Sequence, residues 1–317
     1  MTLLSRILGL ARDVVFAPLF GAGGAMDAFF FANRLPNTLR RFFAEGAFSQ
    51  AFVPVIGEYR ESKSHEEVRE LIARVSGTLA VSLFVITLVG VIAAPVLVAV
   101  FGTGFIDEQG KFDLTATMLR FTFPYIFFIS LTAMAGGVLN TYGRFAVPAF
   151  TPVLLNASLI VAAVWLAPSF DEPAMALAVG VFAAGVIQLA FQIPFLWRLK
   201  LLPRPKLGFA HQGVKRIMTL MLPVIFGSSI AQINLMFNTW VATFLADGSI
   251  GWLYYSDRLI EFPLGVFGIA IATVILPSLS AQHASRSSES FAATIDWALR
   301  TVLLIGIPAA LALLLLA

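Results

Sequence analysis

The sequence predicts an all-α integral membrane fold, with two pseudo-symmetric six-helix lobes around a central cationic cavity and the second lobe incomplete. Three observations predict it. The chain is 59% hydrophobic and only 12% charged, with a mean hydropathy of +0.88, whereas soluble domains carry about 25% charged residues. Its apolar stretches are long enough to cross a bilayer, which takes about 20 residues, and the loops between them are short. A shift of 224 residues brings one part of the chain onto another.

Nine spans follow in order. The first, 1–20, stops at the turn Gly21-Ala-Gly-Gly. The second, 25–57, carries Pro36, which removes a backbone hydrogen bond and bends a helix. The third, 71–101, ends at Gly102-Thr-Gly. The fourth and fifth, 115–140 and 145–167, are separated by a few residues that include Arg144. The sixth, 174–198, begins after Pro168-Ser-Phe-Asp-Glu-Pro173. The seventh, 213–246, stops at Asp247-Gly-Ser; the eighth, 249–281, carries Pro263; the ninth is 291–317. Gly and Asx clusters of this kind punctuate helices.

Alternate loops differ in charge. One set carries twelve basic residues, with Arg60, Lys63, Arg69 and Arg74 in its first loop and Arg198, Lys200, Arg204, Lys206, Lys215 and Arg216 in its third. The other set carries Lys111 alone, beside Asp107, Glu108, Asp113, Asp171, Glu172 and Asp247. Basic loops stay in the cytoplasm, so the N-terminus is expected there.

Under the 224-residue shift Phe20 falls on Phe244, Gly24 on Gly248, Phe29-Phe-Phe on Leu253-Tyr-Tyr, and Asn33-Arg-Leu on Asp257-Arg-Leu. The shift covers six helices, so the repeat keeps its topology, as in transporters built from lobes related by an axis along the membrane normal. The expected domains are a six-helix lobe at 1–200 with its first helix clipped, a cytoplasmic linker at 201–212, and three helices of a second lobe at 213–317. The chain is therefore expected to be a fragment of a longer protein.

Five arginines occur within the first two spans: Arg6, Arg12, Arg34, Arg40 and Arg41. A charged side chain at the bilayer centre costs about 2.5–3.5 kcal/mol on insertion scales and normally faces a water-filled cavity. Helical residues three, four or seven apart share a face. Ser5, Gly9 and Arg12 form one stripe, and Arg6 with Asp13 another; Asn33, Asn37 and Arg40 line up beside Asp27, Arg34, Arg41 and Glu45. Asp257 and Glu261 flank Arg258. Arg41 with Glu45 and Arg6 with Asp13 are expected as internal ion pairs, and Pro36 and Pro263 as bends. Arg12 and Arg40, with no acid four residues away, are expected to meet Arg258 across the cavity. Guanidinium binds phosphate through a planar two-point fork, which makes a diphosphate head group the best-matched cargo.

Other classes are disfavoured. The net charge is +3, but no basic stripe runs along a soluble face, which argues against nucleic acid. Without cysteine there are no disulfides or thiolate metal sites. His65, His211 and His283 lie far apart in loop-like sequence, so no metal or other cofactor is expected. No phosphate loop, nucleophile elbow or zinc motif is present, and the acids sit beside arginines rather than clustering for Mg²⁺, so an enzyme is not expected. Asn156-Ala-Ser158 has the glycosylation pattern but lies within a span. Arg120 and Arg300 are expected at interfaces.

Several stretches resemble the MurJ (MviN) lipid II flippases of bacteria. They are Ser5-Arg-Ile-Leu-Gly-Leu-Ala-Arg-Asp13, Asp27-Ala-Phe-Phe, the run from Leu35-Pro-Asn-Thr-Leu-Arg-Arg to Val53-Pro54, Phe145-Ala-Val-Pro-Ala-Phe-Thr-Pro152, and Tyr254-Tyr-Ser-Asp-Arg-Leu-Ile-Glu-Phe-Pro263. The resemblance covers essentially the whole chain. It implies the multidrug/oligosaccharidyl-lipid/polysaccharide exporter superfamily, a bacterial cytoplasmic membrane location, further helices beyond Ala317, and transport of lipid II, the undecaprenyl-diphosphate-linked peptidoglycan precursor. It also implies that Arg6, Arg12, Arg40 and Arg258 are the cavity arginines and Asp27 an important acid of the second helix. The protein is expected to act as a monomer among membrane lipids. Two rival cargoes are another polyprenyl-diphosphate-linked saccharide and, in a drug/cation antiporter, a cation; the latter needs a buried acid with no basic neighbour.

Overall fold

A computed structural model of the chain describes residues 2–41, 46–263, 271, 275, 279 and 288–316. Among these there is no strand. The helices are α1 (Thr2–Phe20), α2 (Gly24–Arg40), α3 (Ala47–Ser62), α4 (His65–Ile92), α5 (Ala94–Phe101), α6 (Gln109–Thr122), α7 (Tyr125–Thr141), α8 (Ala146–Val161), α9 (Met175–Arg198), α10 (Gln212–Ala242), α11 (Ser249–Pro263) and α12 (Ser288–Leu316).

Local chemistry explains the boundaries. Ser64 and Glu67 form a capping box that starts α4: the Ser64 side chain accepts from the Glu67 N–H while the Glu67 side chain returns to Ser64. This extends the helix six residues before the expected start at 71. Ala93 and the following Pro95 separate α4 from α5, and Phe123-Pro124 separates α6 from α7. The second expected span is two helices, α2 and α3; Pro36 lies inside α2 without ending it. Glu45 and His283 lie outside the described residues, as do the side chains of Glu261 and Pro263. The end of α9 closes with Lys200 in the left-handed region (φ 58) and the Leu201 N–H donating back to Leu196 O at 3.0 Å, while both leucines are buried.

Among the described residues six helical stretches are long and apolar enough to cross a membrane: 65–92, 110–141, 146–169, 175–198, 212–242 and 290–312. The sequence expects nine. Three expected spans are not among them: α1 carries Arg6, Arg12 and Asp13 within 19 residues, α2 is 17 residues long with Asp27, Arg34 and Arg40, and the expected span 249–281 runs into residues outside the described ones.

The chain forms two compact units, residues 1–251 and 252–317. In the first, Phe48, Phe52 and Ile56 of α3, Leu71 and Ile72 of α4, Val138 and Leu139 of α7, and Val214 and Ile217 of α10 share one core. The segment 201–211 is strapped onto α4: the Lys206 N–H donates to Ala73 O at 2.9 Å, and the Gly208 N–H to Thr78 Oγ1 at 3.1 Å. Only glycine fits at Gly77, where an added Cβ would lie 2.3 Å from Lys206 O. The sequence divides the chain at this linker, but Val214 and Ile217 carry α10 into the first unit's core. In the second unit, α12 pairs Asp296 with Arg300 at 2.8 Å.

The first unit has a basic end, carrying Lys63-Ser64, the turn around Arg144 and the linker. Its acidic end carries the turns near 21–23, 102–108, 170–174 and 243–248.

Candidate functional site

Arg12 is held. It is 8% exposed; its Nη2 and Nε donate to Asp13 Oδ1 at 2.6 and 3.0 Å, and its Nη1 to Asn156 Oδ1 on α8 at 3.1 Å. Asn156 Nδ2 in turn donates to Ser5 O at 3.2 Å. Asp13 therefore pairs with Arg12, its chain neighbour, and not with Arg6 as the stripe pattern predicts. Asp13 and Arg12 are both on the face of α1 that packs on α8, whereas Arg6 is exposed. Asn156, set aside in the sequence as a discounted glycosylation pattern, is the residue that joins α1 to α8.

On α2, Asn33, Arg34, Asn37 and Arg40 are all partly exposed along one side, and Arg41 beyond the helix end is exposed. Asn37 Nδ2 donates to Asn33 O at 2.8 Å. Thr38 Oγ1 donates to Arg34 O at 3.0 Å and lies 3.5 Å from the sulfur of Met236 on α10. Asp257 and Arg258 lie partly exposed on α11 within the second unit.

Asp27 is 2% exposed at the acidic end. Its Oδ2 accepts from the Gly248 N–H at 2.7 Å and its Oδ1 from the Gly251 N–H at 2.8 Å. The Gly251 N–H lies in the first turn of α11 and the Gly248 N–H immediately before it; no helical carbonyl can satisfy such groups, and they stand at the positive end of the helix dipole. Beside this clasp the Gly104 N–H donates to Thr243 Oγ1 at 3.2 Å, and Trp240 Nε1 to Thr103 Oγ1 at 3.2 Å. A pocket of about 390 Å³ opens there, lined by Thr103, Gly104, Asp107, Glu108, Thr243 and Phe244 among others. It contains acids and no arginine, so it does not suit an anion.

At the basic end, Arg216 of α10 pairs with Glu58 of α3 at 2.7 Å, and that hydrogen bond and charge hold the Glu58 carboxyl below its ordinary range. Arg60 donates to Thr141 O and lies 4.9 Å above the Tyr142 ring, whose burial pushes the phenol up. His211 caps α10, with Nδ1 accepting from the Gly213 N–H at 3.2 Å.

Sequence reasoning missed the Asp27 clasp and the Asn156 bridge. A signal for the first was present, because the 224-residue shift pairs Asp27 with Gly251.

The family described as "Lipid II flippase MurJ" matches residues 16–317. A relative from Vibrio cholerae serotype O1 (strain ATCC 39315 / El Tor Inaba N16961), "Probable lipid II flippase MurJ", is 55% identical over all of this chain and 62% of its own length. "Lipid II flippase MurJ" of Burkholderia cenocepacia (strain ATCC BAA-245 / DSM 16553 / LMG 16656 / NCTC 13227 / J2315 / CF5610) is 45% identical over 98% of this chain and 61% of its own. The chain thus spans somewhat over three-fifths of the length of these relatives. Among solved structures, "Lipid II flippase MurJ, inward closed conformation" superposes with a TM-score of 0.78 and 30% identity, over 97% of this chain and 62% of that one. An inward-facing multidrug resistance MATE family transporter of the MOP superfamily gives 0.70 at 14% identity, over 96% and 68%, a likeness of fold alone.

Proposed function

The chain belongs to the MurJ lipid II flippase family, and from that premise we propose that the protein moves lipid II from the inner to the outer leaflet of the bacterial cytoplasmic membrane by alternating access. The observation that carries the reading is the Asp27 clasp: it ties α2 to the start of α11 at the acidic end while arginines stand on the neighbouring face of α2. A transporter must close one side of its site while the other opens.

The basic end, and with it the N-terminus, lies in the cytoplasm. The helices form two pseudo-symmetric lobes with the cargo site between them. Arg6, Arg12, Arg40 and Arg258, with Asn37, take the diphosphate while the polyprenyl tail stays in lipid. Arg12 does so from a guanidinium already oriented by Asp13 and Asn156, and Asp27 acts at the closure. Asp13, Arg34, Arg41, Glu45, Asp257 and Glu261 balance charge around the site, and bending near Pro36 and Pro263 accompanies the rocking. An inside-negative potential favours return of the empty cationic site inward, by about 2.3 kcal/mol per charge per 100 mV. The protein acts as a monomer.

A flippase for another polyprenyl-diphosphate saccharide would use the same arginines. A drug/cation antiporter is disfavoured, because Lys111 Nζ lies 3.7 Å from Asp27, the one buried acid outside the Arg12 pair among the described residues.

The test is lipid II binding to the purified chain, with Arg40→Ala and Arg258→Ala beside the parent and a phosphate-free polyprenyl lipid as competitor. Loss of one charge-assisted contact is worth about 1.5–3 kcal/mol, so each change should weaken binding roughly tenfold or more, and the competitor should fail. Equal affinity in all three would remove the arginines from the site. Undecaprenyl diphosphate competing as well as lipid II would show that the saccharide is not read.

A further inference from the structure

Lys111 is the one basic residue that the loop pattern assigns to the acidic end, and the transport reading gives it no role. Its side chain is 9% exposed. Nζ lies 4.6 Å from the centroid of the Phe105 ring, is ion-paired with Asp247, and stands 3.7 Å from Asp27 Oδ2 and 4.0 Å from Glu108. Three segments thus converge on one ammonium: α2 through Asp27, α6 through Lys111 itself, and the α10–α11 turn through Asp247. Asp247 also lies against α2, where a Cβ added to Gly24 would be 3.3 Å from its Oδ1. Two carboxylates from different segments share one covered cation.

We propose that Lys111 is a positioning residue of the external closure, drawing Asp247 and the Gly248–Gly251 turn onto Asp27. The inference rests on the alternating-access reading. Without the ammonium, the buried Asp27 carboxylate faces the like charge of Asp247, whose side chain is 57% exposed, and their repulsion pushes the turn away from α2. The cation itself does not leave with the turn. α6 stays joined to α2, where Thr122 Oγ1 donates to Ala32 O at 2.8 Å in the buried interface. Opening of the acidic end therefore separates Lys111 from Asp247 and leaves it with Asp27, so the ammonium decides how tightly the turn is held.

This arrangement predicts an unusual coupling. Lys111→Met keeps the packing against Phe105 and removes the charge, so it should open the acidic end. Asp247→Asn removes the tether but also the repulsion, so it should do little by itself. Combined with Lys111→Met it should reverse most of the opening. A protein without cysteine allows a single reporter, Gly251→Cys, whose Cβ would lie 3.6 Å from Ala22 and Asp27, in the seam and in ordinary contact. In nanodiscs its modification by a charged maleimide reports opening. Lys111→Met should raise the rate roughly fivefold or more, as expected for loss of a covered ion pair. The double variant should fall back to within about twofold of the parent, and Lys111→Arg should match the parent.

Thermal unfolding of each variant checks folding, with Lys111→Gln in place of Lys111→Met where the latter fails to fold. Equal rates for parent and charge-neutral variants, or a double variant as fast as the single one, overturn the inference while transport by alternating access stands. No modification in any variant would sink both, because the acidic end would then never open.

Discussion

Asp27 Oδ1 accepts a 2.8 Å hydrogen bond from the Gly251 N–H, and the two residues stand 224 positions apart. That separation is the shift that lays Gly24 on Gly248. Residues equivalent under a two-fold repeat touch only where the axis passes between them, so in the proposed two-lobe arrangement the bond lies on the axis at the acidic end. Gly248, just before α11, has no side chain with which to cap it. Asp27 supplies from α2 the carboxylate that an Asp at the cap position would supply locally.

Asp27→Ala leaves the Gly248 and Gly251 N–H groups without their acceptor. Each unsatisfied buried group costs about 1–3 kcal/mol, so the closed arrangement should lose roughly 2–6 kcal/mol; Asp27→Asn, which keeps one carbonyl oxygen, should lose less. Hydrogen exchange at the two amides reads this directly. Protection unchanged in the alanine variant would mean that the clasp does not hold the turn.

Gly104 tests the same closure from another side. A Cβ there would lie 2.0 Å from Thr243 O and 2.4 Å from Thr243 C, both backbone atoms, which cannot rotate out of the way as a side chain does. Gly104→Ala should therefore separate α10 from the turn before α6, breaking the bonds to Thr243 and from Trp240, at a cost of about 1–3 kcal/mol. A red shift of tryptophan emission accompanies exposure of Trp240; a spectrum like the parent's would show that the backbone yields.

The pairing of Glu58 with Arg216 makes the start of α10 sensitive to acid. The folded carboxyl titrates below its ordinary value of 4.5 because Arg216 donates to it and lies close in charge. A depressed carboxyl contributes its full stabilisation above the unfolded value and loses it as pH falls through the folded value. Exchange protection in residues 213–217 should hold constant from neutral pH down to about 5 and decline below about 4. Glu58→Gln should be flat over that range. A decline beginning well above about pH 5 would mean that a group other than Glu58 governs the start of α10.

The spans that periodicity and apolar length define, such as α8, α9 and α10, were legible in the sequence to within a few residues. Breaks inside spans were less so. The α2–α3 division falls after Arg40 although Pro36 carries the stronger signal, because a proline can sit inside a helix whose neighbours satisfy the freed carbonyl. The arginines were legible as unusual, but their partners were not. Spacing rules read contacts along one helix and so joined Arg6 to Asp13. The structure pairs Asp13 with the adjacent Arg12 because both lie on the face of α1 that packs on α8, a contact 144 residues away in the chain. By sequence Lys111 is only a loop charge; Asp27 and Asp247 reach it through the fold, from α2 and from a position 136 residues further along the chain.

Arg12 separates a structural from a cargo-binding role. Removing one partner of a buried ion pair costs about 3–5 kcal/mol because it leaves the other charge uncompensated. Arg12→Leu takes from Asp13, 9% exposed, the guanidinium that donates to it and takes from Asn156 Oδ1 the Nη1 donor, so the variant should lose stability toward that scale whatever Arg12 does for cargo. Replacing both charges, Arg12→Leu with Asp13→Leu, removes the buried carboxylate together with its guanidinium and should recover a large part of the loss. Stability and binding then come apart. If Arg12 also meets the diphosphate, the double variant refolds toward the parent's unfolding temperature yet binds lipid II about tenfold more weakly or worse. Recovery of both together would confine Arg12 to holding α1 on α8 and leave Arg6, Arg40 and Arg258 to carry the head group.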